Sequence, residues 1–338
     1  MNGTVNRFEN SKIKILITGA NGFIGSHLLR RFSTMNGFQV VGLVRESSDL
    51  FRLAGGSYDL RYALLNDPLE DILPGFDVVI HTAARSSDWG EYESFYRTNV
   101  DGTVNLVRAA VACGVGRFIH FSSTVIYGFS GNRLTGEDSP PAPFNNPYCL
   151  TKVMAEQELL RYRNRIQLIT LRPSNVFGPG DLTTTYPLFE ALRSGMTGFP
   201  AGGRYVTSPC YIDNLVSATE SALRAECLSG ETFNISDGND ITWSEFLARI
   251  AQELGVNPPR FAISSGLLRP VAWGLEKLYT LFYSSNPPAI TPYRIAQVVN
   301  DYSFSIKKAK KLLGYLPPTS TEEGIRESVK WFNEYSNQ

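Results

Sequence analysis

Thr18-Gly-Ala-Asn-Gly-Phe-Ile-Gly25 is the stretch on which the fold turns. Just before it, Lys12-Ile-Lys-Ile-Leu-Ile17 is a short β-branched run, the pattern of a strand buried on both faces of a parallel sheet. Just after it, Phe23 to Phe32 carries apolar residues at helical spacing. Gly19, Gly22 and Gly25 punctuate the join, with Asn21, Phe23 and Ile24 between and beside them. Glycine permits a tight turn, lets the backbone approach a diphosphate, and lets the helix pack closely on the strand. A helix start adds unpaired N–H groups and a partial positive charge. Strand, glycine turn and helix in this order predict a dinucleotide cradle.

The second informative stretch is Tyr148-Cys-Leu-Thr-Lys152. On a helix, residues four apart share a face, so an ammonium is brought near a phenol. A tyrosine with a reference pKa near ~10 is a poor base at neutral pH, and a fixed positive charge favours its phenolate. A nucleotide cradle followed by such a pair predicts hydride transfer at a carbinol or ketone carbon.

Composition agrees with an enzyme of ordinary kind. The chain has 338 residues, enough for more than one typical domain, and is 43% hydrophobic and 19% charged. Its 32 basic residues balance 32 acidic ones, which gives no electrostatic footprint for nucleic acid. Cys113, Cys149, Cys210 and Cys227 show neither metal spacing nor a disulfide framework, so no metal is expected and a reducing, cytoplasmic setting is. Residues 1–11 lack the apolar core of a signal peptide, and no apolar run reaches the ~18 residues of a membrane span.

Further strands are expected at Gln39–Val44, Phe76–His81, Arg117–Ser122 and Arg165–Leu171, with helices over Glu91–Cys113 and about Pro147–Arg163. Alternating strands and helices predict an α/β fold, a Rossmann-type doubly wound parallel sheet. Beyond Gly178 the texture changes to Pro, Gly and Thr, then to helical patterns. The expected division is residues 12–178 plus about 209–236 as the nucleotide-binding domain, with a return to the sheet near Tyr211 and Phe233. Residues 179–208 plus 237–338 are expected to form a smaller, mostly helical substrate domain, and 1–11 a flexible tail.

With these segments in hand, the chain resembles the extended short-chain dehydrogenase/reductase superfamily, of the NAD-dependent epimerase/dehydratase type. The resemblance rests on the glycine turn, His81-Thr-Ala-Ala84, Asn99-Val-Asp-Gly-Thr103, Phe121-Ser-Ser-Thr-Val-Ile-Tyr-Gly128, Tyr148 to Lys152, and Leu171-Arg-Pro-Ser-Asn-Val-Phe-Gly-Pro-Gly180. It implies that Tyr148 is the general acid/base and that Lys152 tunes it and holds the nicotinamide ribose. Counting back four residues from Tyr127, as the superfamily motif runs, selects Ser123 as the hydroxyl that polarises the substrate oxygen, with Ser122 and Thr124 as neighbouring alternatives. By the same resemblance His81, Ala83, Ala84, Asn99, Pro173 and Val176 line the cofactor, and a homodimer forms through the helices around Tyr148.

The second strand of an NAD enzyme usually ends in an acid that accepts hydrogen bonds from the ribose hydroxyls. Here Val44 stands at that place and Arg45 follows, with Ser47 and Ser48 close behind. An arginine pairs with a 2′-phosphate, so NADP is favoured over NAD. Tyr62-Ala-Leu-Leu65 offers no acid for the adenine, Asp67 coming later.

For the substrate, three readings stand. Dehydratases of the superfamily carry Asp-Glu directly after the catalytic hydroxyl, where this chain has Thr124-Val125. A nucleotide-sugar epimerase with tightly retained NAD is favoured by Asn175. It is disfavoured by Thr207, where an arginine would meet the diphosphate, unless Arg204 substitutes. The stretches Asn234 to Phe246, Phe304 to Ala309, Leu313-Gly-Tyr-Leu-Pro317 and Asp88-Trp-Gly90 are similar to the 3β-hydroxysteroid dehydrogenase-like branch. That resemblance implies a dehydrogenase or reductase of a bulky, apolar alcohol or ketone, sterol-like or a long-chain β-keto compound; whichever reading holds, Thr124, Asn175 and Arg204 are the candidate substrate contacts. The third reading is a dinucleotide-binding sensor without turnover. Ser265–Tyr283, dense in Leu, Trp, Phe and Tyr, is a pocket wall, a peripheral membrane contact or plain packing.

Overall fold

The apolar runs become seven strands in the computed structural model, which describes residues 12–195, 198–226, 228–259, 261–282 and 286–337. They are β1 (Ile13–Thr18), β2 (Phe38–Val44), β3 (Asp59–Tyr62), β4 (Val78–His81), β5 (Arg117–Phe121), β6 (Gln167–Pro173) and β7 (Glu231–Ile235). Their spatial order is β7-β6-β5-β4-β1-β2-β3, every neighbouring pair parallel. The order reverses between β1 and β4, and ligands of such sheets bind outside the strand ends at that reversal.

Period-two alternation divides β1 between two cores. Ile15 and Ile17 pack with Leu28, Leu29 and Phe32 of helix α1 (Phe23–Ser33) and with the helix Ile212–Arg224. Leu16 faces the other layer with Leu106, Val107 and Leu159. That layer is α2, which runs Tyr92–Tyr96, widens into one π turn at Arg97–Asp101 and continues through Gly102–Ala112, and α3 (Pro147–Leu159).

Only Phe233 makes the return to the main sheet expected near Tyr211 and Phe233. Pro209–Tyr211 pairs instead with Asn175–Phe177 in a separate two-stranded ribbon. The reason lies at Pro173, which has no N–H to continue β6, so the chain departs after Ser174 N–H bonds the Ile235 carbonyl at 3.0 Å. The C-terminal part is largely helical, but it also holds a small mixed sheet of Asn132–Thr135, Val206–Thr207, Ile241–Thr242 and Tyr302–Phe304. Residues 1–11, Cys227 and Tyr283 lie outside the described residues.

Candidate active site

A cleft of about 1100 Å³ runs along the carboxyl ends of β1, β2 and β4. Its floor is the glycine turn. Gly19 has φ +67°, and a Cβ there would stand 2.8 Å from Ala83 Cα, so only glycine lets the Thr82–Ala84 backbone cross this closely. A Cβ on Gly25 would fall on the Gly19 carbonyl. Gly22 caps α1 without a side chain, and the first turn carries no acid. Its N–H groups and the positive end of the helix therefore meet the cleft unshielded.

The wall opposite is tied to this floor by threonines. Thr82 donates to the Thr18 carbonyl at 2.7 Å, and Ala83 N–H donates to Thr18 Oγ1 at 3.3 Å. His81, 1% exposed, stands behind them. Its Nε2 lies 2.8 Å from Thr103 Oγ1, whose own proton goes to the Asn99 carbonyl at 2.7 Å. His81 therefore donates from Nε2 and accepts at Nδ1 from Thr18 Oγ1, 2.8 Å away. Burial, with Lys152 nearby, pushes its pKa down to about 3. It is a neutral strut.

Asn99 serves as a staple. Its Oδ1 accepts from Arg85 N–H at 2.8 Å, while Nδ2 donates to the Arg85 carbonyl at 3.1 Å and to Thr151 Oγ1 at 3.0 Å. The loop after β4 is thus pinned to the turn of α3 that lies between Tyr148 and Lys152.

Asn146 N-caps α3, accepting from Tyr148 N–H at 2.8 Å. Along that helix the half-buried Tyr148 phenol lies near the Ser123 hydroxyl, and Lys152 Nζ donates to the Phe121 carbonyl at 2.7 Å. Burial pushes Lys152 down to about 8, with Glu156 acting against it. Burial also pushes Tyr148 up to about 12, the adjacent Cys149 adding to this and the nearby Ser123 hydroxyl opposing it. The expected lowering of the phenol by Lys152 alone is therefore not what the protein delivers. Desolvation wins, and the resting form is the neutral phenol.

Of the expected cofactor contacts, Gly19, Asn21, Gly22, Phe23, Ile24, Gly25, Arg45, Ala83, Ala84, Tyr148 and Lys152 line the cleft. His81 and Asn99 support it from behind, and Pro173 and Val176 are not in its lining. The candidate substrate contacts do not converge on it either. Thr124 is fully buried and pairs with the Tyr302 hydroxyl at 2.8 Å. Asn175 donates to Thr207 Oγ1 at 2.7 Å and accepts from Gln297 at 2.6 Å, which spends its amide. Arg204 lies over the Tyr205 ring at the surface, 5.0 Å from its centroid.

Two further residues line the cleft: Ser122, the motif's alternative to Ser123, and Arg52, which no motif marks. Ser122 Oγ is buried and without a hydrogen-bond partner among the described residues. Arg52 reaches the cleft from a distant turn, its Nε donating to the Gly180 carbonyl at 3.0 Å. The cleft carries Arg45, Arg52, Arg85, Arg97 and Lys152 against Asp67, Glu91 and Glu93, a positive balance suited to phosphates. The bare helix start, the crossing that excludes any Cβ and the waiting Ser122 hydroxyl together fit a dinucleotide.

The model of the NAD dependent epimerase/dehydratase family matches residues 15–236. The chain belongs to this family. Among curated proteins it is 30% identical to 3β-hydroxysteroid-dehydrogenase/decarboxylase isoform 1 of Arabidopsis thaliana, over 96% of this chain and 80% of that one. It is 29% identical to the 2-alkyl-3-oxoalkanoate reductase of Stenotrophomonas maltophilia, over 93% and 98% respectively. Among solved structures, the UDP-glucose 4-epimerase of Thermotoga maritima superposes with TM-score 0.77 at 25% identity, over 96% of this chain and 99% of that one.

Proposed function

We propose that this family member is an NADP-preferring oxidoreductase that interconverts a secondary alcohol and a ketone on a bulky, apolar substrate. The observation that carries the reading is the half-buried Tyr148 phenol, with Ser123 near it and Lys152 one helical turn along, Tyr148 and Lys152 both lining the dinucleotide cleft. When bound, the nicotinamide supplies or accepts the hydride. Ser123 holds the substrate oxygen, Tyr148 gives it a proton in reduction and takes one in oxidation, and Lys152 holds the ribose.

The apolar substrate is supported by what surrounds the phenol. Tyr148 packs into a cluster with Phe129, Phe144, Tyr293 and Tyr302. The relatives are named for steroid and 2-alkyl-3-oxoalkanoate chemistry, which matches such walls. A nucleotide sugar is served poorly, because Asn175 is engaged by Thr207 and Gln297 and neither it nor Arg204 lines the cleft. NADP is supported by Arg45 at the cleft rim in the place of an acid. A cytoplasmic homodimer belongs to the same reading, in which a second copy would cover Tyr92 of α2 and Leu160 just past α3, both exposed.

The test is spectroscopic. The purified protein is denatured and its released nucleotide measured, then NADPH oxidation is followed with long-chain β-keto esters and sterol ketones. Turnover of an apolar ketone with exchangeable NADPH supports the reading. One NAD released per chain, with no ketone turned over, overturns it in favour of the epimerase.

A further inference from the structure

The helix Ser265–Leu281 is held by very little. Of its seventeen residues only Leu268 and Ala272 are buried, against Ile295 and Val299. The rest of its apolar content faces outward. Leu267 (62% exposed), Val271, Leu278 and Leu281 (70%) recur at helical spacing, with Trp273 (62%) beside them and Phe282 (73%) just past the end. Leu267, Val271 and Leu278 fall at i, i+4 and i+11, one continuous flank. A soluble monomer rarely leaves so contiguous a stripe in water.

The charges around the stripe share one sign. Lys277 lies outward, its ammonium 5.9 Å from the centroid of the Trp273 ring, and Arg269 is exposed farther round the helix. The helix's one acid, Glu276, is half-buried and feels Asp88 across the interface beneath. An amphipathic helix with outward cations, an interfacial tryptophan and no outward acid has the charge complement of an anionic lipid surface. A second copy of this chain would bring Lys277 and Arg269 against the same cations, without an acid to meet them.

We propose that Ser265–Leu281 is an interfacial helix that docks the enzyme on an anionic bilayer, seating Leu267, Val271, Leu278 and Leu281 among the acyl chains. No described helix is long and apolar enough to cross a membrane, so the helix lies in the surface plane. Its inner side meets the loop that follows β4, where Tyr279 packs edge-on to Trp89 with ring centroids 6.5 Å apart. The loop that holds Trp89 lines the cleft through Ser86 and Glu91. An apolar substrate dissolved in the bilayer is thereby delivered beside the site. Delivery rests on the proposed substrate class, whereas docking does not.

The experiment is co-sedimentation of the full-length protein with sucrose-loaded vesicles of phosphatidylcholine alone or with thirty mole per cent phosphatidylglycerol. Binding to the anionic vesicles is expected, weakening in high salt, and Trp273 emission should shift to the blue relative to a Trp273→Phe control. Lys277→Gln should weaken binding about five-fold. Leu278→Glu with Leu281→Glu should abolish it while leaving thermal stability and NADPH binding unchanged, since both side chains are exposed. Absence of binding to either vesicle overturns the proposal, as does binding that the double variant retains. A concentration-dependent dimer broken by the double variant would assign the stripe to a second copy and equally overturn it.

Discussion

At the scale of the residue, the chemistry turns on a contest around Tyr148. Burial, with Cys149 adding to it, favours the phenol and prevails over the Ser123 hydroxyl, which favours the phenolate, and the group is held near 12. The phenol is the form a ketone needs as proton donor, so reduction is ready at neutral pH. Oxidation needs the phenolate, whose population rises tenfold per pH unit below the pKa. The rate constant for alcohol oxidation should therefore climb between pH 6 and 8 while ketone reduction stays nearly flat. Tyr148→Phe should lower turnover by roughly 10²–10⁴-fold and change NADPH affinity by less than about three-fold. A pH-independent oxidation rate over that range, measured at saturating substrate, would remove Tyr148 as the base. The Tyr–Lys spacing was readable directly, with three letters between the two. That Asn175 is spent was not, because its partner Gln297 lies far along the chain and only the fold brings the two together.

Elements decide whether those residues stay in register. The Asp88 loop is the connection that matters most. Its carboxylate accepts from Thr291 at 2.7 Å and from Arg294 at 2.9 and 3.0 Å, both on or at the cap of the helix Pro292–Val298. Its carbonyl accepts from Asn146, which caps α3. One loop thus joins the helix Pro292–Val298 to the start of α3. The ion pair is half-open, with Arg294 44% exposed, so solvent screens it. Asp88→Ala should cost about 1–2 kcal/mol in urea unfolding, and Arg294→Met in that background should cost little more. Full additivity in this cycle would show that the two side chains act separately. The main strands were legible for a related reason: covered on both faces, they read as unbroken apolar runs. The edge strand β3 is largely exposed, and pairs such as Val206–Thr207 or Ile241–Thr242 are too short to show a period. The π turn inside α2 leaves no mark in the sequence, yet it is where Asn99 sits.

For the whole molecule, two linkages convert these sites into measurable stability. The first is acid. His81 is held down to about 3 and the buried His120 well below its ordinary value, both chiefly by desolvation. The unfolded chain protonates them as pH falls through about 6.5, whereas the native state does not until far lower. The unfolded state then binds more protons, and stability is lost progressively below pH 6.5. The urea midpoint should fall from pH 7.5 to pH 5, and by less in His120→Leu. Equal falls in both proteins would show that His120 is charged in the native state. The second linkage is the cofactor, which stabilises whatever fold it binds by about 2.7 kcal/mol at a hundred times its dissociation constant. Arg45 lies at the cleft rim beside Val44, where a 2′-phosphate would form a charge-assisted pair. Arg45→Asp replaces that attraction by repulsion, so at equal concentrations NADPH should raise the melting temperature by several degrees in the parent and scarcely at all in the variant. The NADH shift should be kept or increased, because the new carboxylate can accept from the ribose hydroxyls. If the substitution weakens both shifts alike, Arg45 does not read the phosphate, and the preference must come from Arg52 or be absent.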